Sequence, residues 1–225
     1  MITPRLEAIV NLVQTKTIAD IGTDHAYIPI YLASKNRITK AVASDKNKGP
    51  IERARENVKK YGLSQIIDLR IGQGLSPIEK GEAETIIIAG MGGVLIGDII
   101  EADLEKAYAS RLILQPMNAQ DNLRKRLLSL GFIIEEEELS CEGFKVYNLM
   151  SVKKGIAKED EPIYYYIPKS LLGHELCPML INKKEREFLK IINGQKNSNN
   201  PDKIIIKEYE ALLKDLEKLK RDIKH

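Results

Sequence analysis

The sequence has no long hydrophobic run, few cysteines and little net charge, and each of these absences narrows the class of protein. No run approaches the ~18 apolar residues of a membrane-spanning helix, and Met1–Glu7 lacks the apolar core of a signal peptide. Cys141 and Cys177 have neither metal-binding nor redox spacing, so we expect no metal, no membrane, and two inert thiols in a reducing cytoplasm. The net charge of +3 says little about nucleic acid, although the basic excess lies in residues 151–225.

Short apolar, β-branched runs alternate with helical patterns along the first two thirds of the chain. Thr3 is expected to cap a first helix, and a later helix is expected from Ile51 to Tyr61. Asn118 and Asp121 have the spacing of a capping box at the start of another helix. Five runs are predicted strands, followed by a closing hairpin: Thr17–Ile21, Lys40–Asp45, Asp68–Ile71, Thr85–Ala89, Arg111–Gln115, and then Phe132–Leu139 with Lys145–Val152. This alternation predicts an α/β fold with a Rossmann-like, doubly wound sheet.

The pattern changes to helix only after a polar linker, so we divide the chain into a domain of residues 1–153 and a C-terminal region of residues 154–225. One helix is expected over Glu185–Ile192, broken at Asn193-Gly194. The last stretch repeats apolar residues with spacings typical of a helical hairpin or coiled coil, at Ile205, Tyr209, Leu212, Leu216, Leu219 and Ile223. The sequence predicts a helical, coiled-coil-like appendage.

The loop after the first predicted strand discriminates between cofactors. Of the glycines in a dinucleotide fingerprint G-x-G-x-x-G only Gly22 is present, and a carboxylate at Asp24 would repel pyrophosphate. Asp20 and Asp24 instead suit a ligand bearing an ammonium or sulfonium group. Asp45, at the end of the second strand, can accept hydrogen bonds from a ribose diol, which NAD and S-adenosylmethionine share. The sequence therefore favours S-adenosylmethionine over NAD.

Loops that follow four neighbouring strands should meet at the carboxyl edge of the sheet and hold this cofactor. Gln73 could bind the adenine edge through its amide. The expected cofactor-binding residues are Asp20, Gly22, Thr23, Asp45, Lys46, Gln73, Gly74, Gly90, Met91 and Gly92. Three of these features also have a simpler interpretation. Asp20 could be a turn or cap residue, the neighbouring His25 a structural histidine, and Gly90-Met-Gly-Gly93 a tight turn.

Three motifs together closely resemble those of the bacterial tRNA (adenine(22)-N(1))-methyltransferases. They are Asp20-Ile-Gly-Thr-Asp-His-Ala-Tyr-Ile-Pro29, Ile86-Ile-Ile-Ala-Gly-Met-Gly-Gly93 and Leu112-Ile-Leu-Gln-Pro116. The resemblance covers most of residues 4–152. It implies a methyltransferase sheet, S-adenosylmethionine as methyl donor, and N1 of an adenine in the tRNA D arm as acceptor. It also implies that the C-terminal helices help to hold tRNA, and it implies no obligate protein partner.

The chemistry of this reaction leaves three candidates for catalysis. Adenine N1 carries a free lone pair, so catalysis can rest on alignment, helped by an acceptor that stabilises the cationic product ring. The Asn/Asp-Pro-Pro-aromatic motif of many amino-methylating enzymes is replaced here by Ala-Gly-Met-Gly-Gly. Asp24 and His25 become the candidate acceptors, with Asp24 expected to be desolvated, and Tyr27 could stack on the base. The alternatives are a non-catalytic RNA-binding protein with this fold and, disfavoured by the missing glycines, an NAD-dependent oxidoreductase.

Overall fold

A computed structural model describes residues 2–158 and 160–223 of the chain. The chain forms two compact units, Met1–Lys158 and Glu159–His225. In the part of the chain that is described, no helix has the length and apolar character needed to cross a membrane.

The first unit is a seven-stranded sheet flanked by six helices. Its elements are, in chain order, α1 (Pro4–Leu12), β1 (Thr17–Ile21), α2 (Tyr27–Ser34), β2 (Lys40–Asp45), α3 (Lys48–Lys60), β3 (Ile67–Ile71), β4 (Thr85–Met91), α4 (Gly93–Ala102), α5 (Leu104–Tyr108), β5 (Arg111–Pro116), α6 (Gln120–Ser129), β6 (Phe132–Glu142) and β7 (Lys145–Lys154). The strand order is β3-β2-β1-β4-β5-β7-β6. The first five strands are parallel and β7 is antiparallel to both its neighbours. This confirms the predicted Rossmann-like α/β class.

The central strands are buried on both faces, which explains their continuous apolar sequence. In β4, Ile87 packs into the core beneath α1, α2 and α3, whereas Ile86 and Ile88 pack into the core beneath α4, α5 and α6. The chain order reverses between β1 and β4, which are hydrogen-bonded neighbours although β2 and β3 lie between them in sequence. Ligands of such sheets bind at the carboxyl ends of the strands at this switch point.

Several predicted boundaries need correction. The capping box at Asn118 and Asp121 is wrong: α6 has Ala119 as its N-cap, at φ 48°, with no side-chain capping bond. Ala119 takes the left-handed conformation, and its methyl side chain has no oxygen that could cap the helix. Helix α3 begins at Lys48, three residues before the apolar pattern starts, and the short helix α5 was not predicted.

The second unit contains two 3₁₀ turns and a pair of long helices, α7 (Cys177–Lys196) and α8 (Lys203–Asp222). The predicted break at Asn193-Gly194 is wrong, because α7 runs through both residues and ends at Lys196.

The apolar seam of α8 packs against α7 within one chain as a helical hairpin. Leu212, Leu216 and Leu219 are buried, and the Phe188 ring meets the Tyr209 ring edge-on at 5.4 Å between centroids. The Lys196–Glu210 ion pair, at 2.7 Å, also joins the two helices.

Candidate functional site

The loop that follows β1 is held by a small hydrogen-bond network. The amides of Gly22 and Thr23 both donate to the carbonyl of Ser44, at 2.7 and 2.9 Å. The Thr23 hydroxyl accepts from the Ala26 amide at 3.1 Å, which supports Ala26 in a left-handed conformation at the start of α2. The Thr23 side chain also hydrogen-bonds the carboxyl group of Asp20. These contacts hold the loop rigidly against the ends of β1 and β2.

Asp20 is a buried acid at the end of β1, with only 7% of its surface exposed. Burial raises the pKa of its carboxyl group to about 6, and the hydrogen bond with Thr23 opposes part of that shift. The carboxyl group lies on the wall of a cavity. A cation bound in that cavity would favour the ionised form of Asp20.

Asp24, His25 and Tyr27 form a connected group on the outer side of the same loop. The Asp24 carboxylate is paired with Arg53 of α3, whose Nε lies 3.1 Å from Oδ1, and with His25 Nε2 at 3.3 Å. The His25 ring stacks on the Tyr27 ring, with centroids 4.9 Å apart and planes 13° from parallel. The expectation that Asp24 is desolvated is wrong, because its side chain is 59% exposed and already has a cation beside it.

The Gly90-Met-Gly-Gly93 segment has a positive φ of 77° at Gly90 and close packing at Met91 and Gly93. A Cβ at Gly22 would lie 1.9 Å from the methyl carbon of Met91, so the Met91 side chain fills the space beside the first loop. A Cβ at Gly93 would lie 2.5 Å from the carbonyl oxygen of Ala119, and the Gly93 amide donates to the Asn118 carbonyl. The segment therefore joins the ends of β1, β4 and β5.

The predicted site residues fall into two groups. A cavity of about 380 Å³ brings together Asp20, Gly22, Thr23, Asp24, His25, Tyr27 and Gly90. Met91 adjoins it through its packing against Gly22, and Gly92 follows Met91 directly in the chain. The other four follow the neighbouring strands β2 and β3: Asp45 and Lys46, Gln73 and Gly74. The Gly72 amide donates to the Asp45 carbonyl at 3.0 Å, so these two loops lie side by side.

The start of α1 supplies cavity residues that the sequence analysis missed, namely Thr3, Arg5 and Leu6. The Arg5 guanidinium donates to Oε1 of the fully buried Gln115 at 2.8 Å, and the Gly90 amide donates to the same oxygen at 3.2 Å. Among the described residues no carboxylate lies within ion-pair distance of the Arg5 side chain, although Glu142 interacts with Arg5 electrostatically. The sequence did contain one indication of this contact, namely Gln115 within an otherwise apolar strand, because a buried amide side chain needs hydrogen-bond partners.

Large apolar side chains are exposed around this edge of the sheet. They follow the ends of β1, β3, β4 and β5, at Tyr27, Ile71, Val94, Leu95 and Met117. An exposed apolar rim around a polar cavity is typical of a site for flat, largely apolar groups such as nucleobases.

Comparison with known proteins agrees with this geometry. Residues 2–150 match the family described as "Methyltransferase domain". The tRNA (adenine(22)-N(1))-methyltransferase of Bacillus subtilis is 36% identical over 188 residues, which is 83% of this chain and 77% of that protein.

Two solved structures extend the likeness over nearly the whole chain. The Streptococcus pneumoniae protein Sp1610, solved with S-adenosyl-L-methionine, is 32% identical and has a TM-score of 0.85, covering 97% of this chain and 99% of its own. TrmK of M. capricolum, solved with S-adenosyl-homocysteine, is 27% identical with a TM-score of 0.80, covering 100% and 98%. The chain belongs to the tRNA (adenine(22)-N(1))-methyltransferase family.

Proposed function

We propose that this protein transfers a methyl group from S-adenosylmethionine to N1 of adenine 22 in the D arm of tRNA. The observation that carries the proposal is the cavity at the switch point of the sheet, whose wall includes the buried carboxyl group of Asp20. The named activity of the Bacillus subtilis relative supplies the acceptor, and the complex of the Streptococcus pneumoniae protein supplies the donor.

The cavity offers opposite charges to the two ends of an amino-acid moiety. Asp20 would accept from the ammonium group, and Arg5, held by Gln115, would donate to the carboxylate. Asp45 already accepts from the Asn47 amide through Oδ1 at 2.7 Å, which leaves its other oxygen for a ribose hydroxyl. Lys46, Gln73 and Gly74, which follow β2 and β3, would hold the adenine. When bound, S-adenosylmethionine supplies an electrophilic methyl group on its sulfonium.

The chain's own part in the chemistry is to hold adenine N1 in line with that methyl group. Because N1 carries a lone pair, no residue needs to remove a proton first. The stacked rings of His25 and Tyr27 form a flat surface at the cavity mouth on which the base can lie. Asp24 is fixed between Arg53 and His25, so its carboxylate is oriented before the base arrives and can stabilise positive charge on the methylated ring.

The second unit would contribute to tRNA affinity. Its sequence has 13 lysine and arginine residues against 12 aspartate and glutamate residues, so the unit as a whole is close to neutral. Phosphate contacts by its individual lysines and arginines would make tRNA binding weaker as salt rises. We also propose that the reaction takes place in the cytoplasm, because the proposed substrate is a tRNA.

The test is methyl transfer to two transcripts of one tRNA, one with adenine and one with guanine at position 22. We expect transfer to the first alone, together with binding of S-adenosylmethionine and not NAD by calorimetry. Binding of S-adenosylmethionine without transfer to any tRNA would support the non-catalytic alternative.

A further inference from the structure

The hairpin of β6 and β7 projects beyond the edge of the sheet at which the cavity opens. Strand β5 pairs with β7 from Leu112↔Val152 to Leu114↔Met150, so continuing that register places Pro116 opposite Asn148. At ~3.3 Å per residue, the tip at Phe144 then lies about 13 Å beyond the end of β5. Strand β6 remains paired with β7 up to Glu142↔Lys145, so the projecting part is an ordered two-stranded ribbon.

The hairpin is attached to the same helix start that lines the cavity. Glu142 accepts hydrogen bonds from the Thr3 side chain and from the Arg5 amide, the latter at 3.1 Å, and these bonds lower the pKa of its carboxyl group. The Arg5 guanidinium lies over the Tyr147 ring, 5.7 Å from its centroid. The tip is therefore fixed relative to Arg5 and to the cavity mouth.

Phe144 at this tip has no structural role in the folded chain. It is 99% exposed, whereas Phe132 and Phe188, the other two phenylalanines, are buried in the two cores. Lys145, also exposed, follows it directly. Glu135 to Glu138 lie lower on the hairpin, level with Ser151 to Leu149 and with the body of the sheet. Glu142, opposite Lys145, lies next to the tip, but its carboxylate is held by the Thr3 side chain and the Arg5 amide.

We propose that Phe144 is an RNA-contacting wedge, which stacks on a nucleobase of the tRNA next to the target adenine while that adenine occupies the cavity. This rests on the proposed function. A base in a structured arm must leave its stack to reach a cavity, which exposes the faces of its neighbours. Proteins that unstack nucleic acid insert apolar side chains at such steps, and an aromatic ring stacked on a base is sequence-tolerant. Lys145 would meet the adjoining phosphate.

Kinetics of Phe144→Ala test the wedge, with Ile156→Ala as the matched control. Ile156 is equally exposed at 99% but follows β7 at the opposite edge of the sheet. We expect Phe144→Ala to lower kcat/KM for tRNA about tenfold, with an unchanged melting temperature and an unchanged dissociation constant for S-adenosylmethionine. Phe144→Trp should keep most of the activity, and Ile156→Ala all of it. Wild-type kcat/KM in Phe144→Ala would overturn the proposal.

The absence of tryptophan from the chain allows a direct measurement of stacking. In Phe144→Trp the new indole is the sole tryptophan, and we expect tRNA to quench its fluorescence, as stacking on a base does. Ile156→Trp should show no such change. If the tryptophan fluorescence were not quenched at saturating tRNA although the wild type methylates that tRNA, the wedge would be wrong and the proposed function would stand. If the wild type methylated no tRNA, the proposed function and the wedge would fall together.

Discussion

Replacing Asp20 by asparagine should stabilise the ligand-free protein at neutral pH while weakening its hold on the cofactor. The folded state binds the Asp20 proton more tightly than the unfolded chain, because burial raises its pKa from 3.8 to about 6. Ionisation of Asp20 therefore costs stability above pH 6, and this cost disappears as the pH falls below the unfolded value. A shift of roughly two pH units corresponds to about 3 kcal/mol at 1.36 kcal/mol per unit, which is an upper bound for the effect.

The assay is urea unfolding of the wild type and Asp20→Asn between pH 4 and pH 8, without cofactor. The difference in the free energy of unfolding, mutant minus wild type, should rise through pH 4 to 6 and then stay constant. Glu79→Gln, which removes an exposed carboxyl group, is the control and should show little pH-dependent difference.

Cofactor binding should respond in the opposite direction. Asn cannot neutralise an ammonium group, so Asp20→Asn should weaken S-adenosylmethionine binding by about 1.5–3 kcal/mol, or roughly 10- to 150-fold. Wild-type affinity should itself fall as the pH drops through 6. A stability difference that did not vary with pH, or a mutant with unchanged affinity, would refute the assignment of Asp20 as a buried, charged cofactor ligand.

Four further changes test the remaining parts of the site. Asp45→Ala should weaken S-adenosylmethionine binding by about 2–3 kcal/mol, or roughly 30- to 150-fold in dissociation constant, because hydrogen bonds to a charged acceptor are lost. The melting temperature should stay near wild type, and an unchanged affinity by calorimetry would exclude a ribose contact. Gln115→Leu should lower the free energy of unfolding by about 1–3 kcal/mol, because the Gly90 amide and the charged Arg5 guanidinium lose their shared acceptor. It should also weaken cofactor binding through Arg5; urea unfolding and calorimetry measure the two effects. Asp24→Asn should lower the single-turnover rate of methyl transfer more than it lowers tRNA affinity. If the mutant kept the wild-type rate and only bound the cofactor more weakly, Asp24 would be a cofactor ligand only. Truncation after Lys158 should keep cofactor binding and weaken tRNA binding. A filter-binding assay at several salt concentrations measures tRNA affinity, and an unchanged affinity would contradict this prediction.

The strands were predictable because their pattern reflects burial on both faces of a parallel sheet. Thr17–Ile21 and Lys40–Asp45 begin and end where the sequence analysis placed them. The prediction of a capping box at Asn118 was wrong because local spacing does not reveal that Ala119, which precedes α6, adopts a left-handed conformation. The break expected at Asn193-Gly194 failed because packing of α7 against α8 outweighs the modest helix penalty of one glycine.

The site was predictable where a motif is contiguous and unpredictable where it depends on tertiary contacts. The loop from Asp20 to Tyr27 lines the cavity as one segment. Arg5 belongs to the site only because Gln115, 110 positions away, holds it there, and no local pattern connects the two. The same reason hid the Arg53 partner of Asp24, which comes from a helix beyond the second strand.

Mapping of the methylated position on tRNA tests the central claim most directly. Methylation at N1 blocks the pairing edge of adenine, so reverse transcription of the treated tRNA stops next to the modified residue. We predict a stop at position 22 that requires enzyme and S-adenosylmethionine and is absent when position 22 is guanine. A stop at another adenine, or none from a protein that binds S-adenosylmethionine, would contradict the claim.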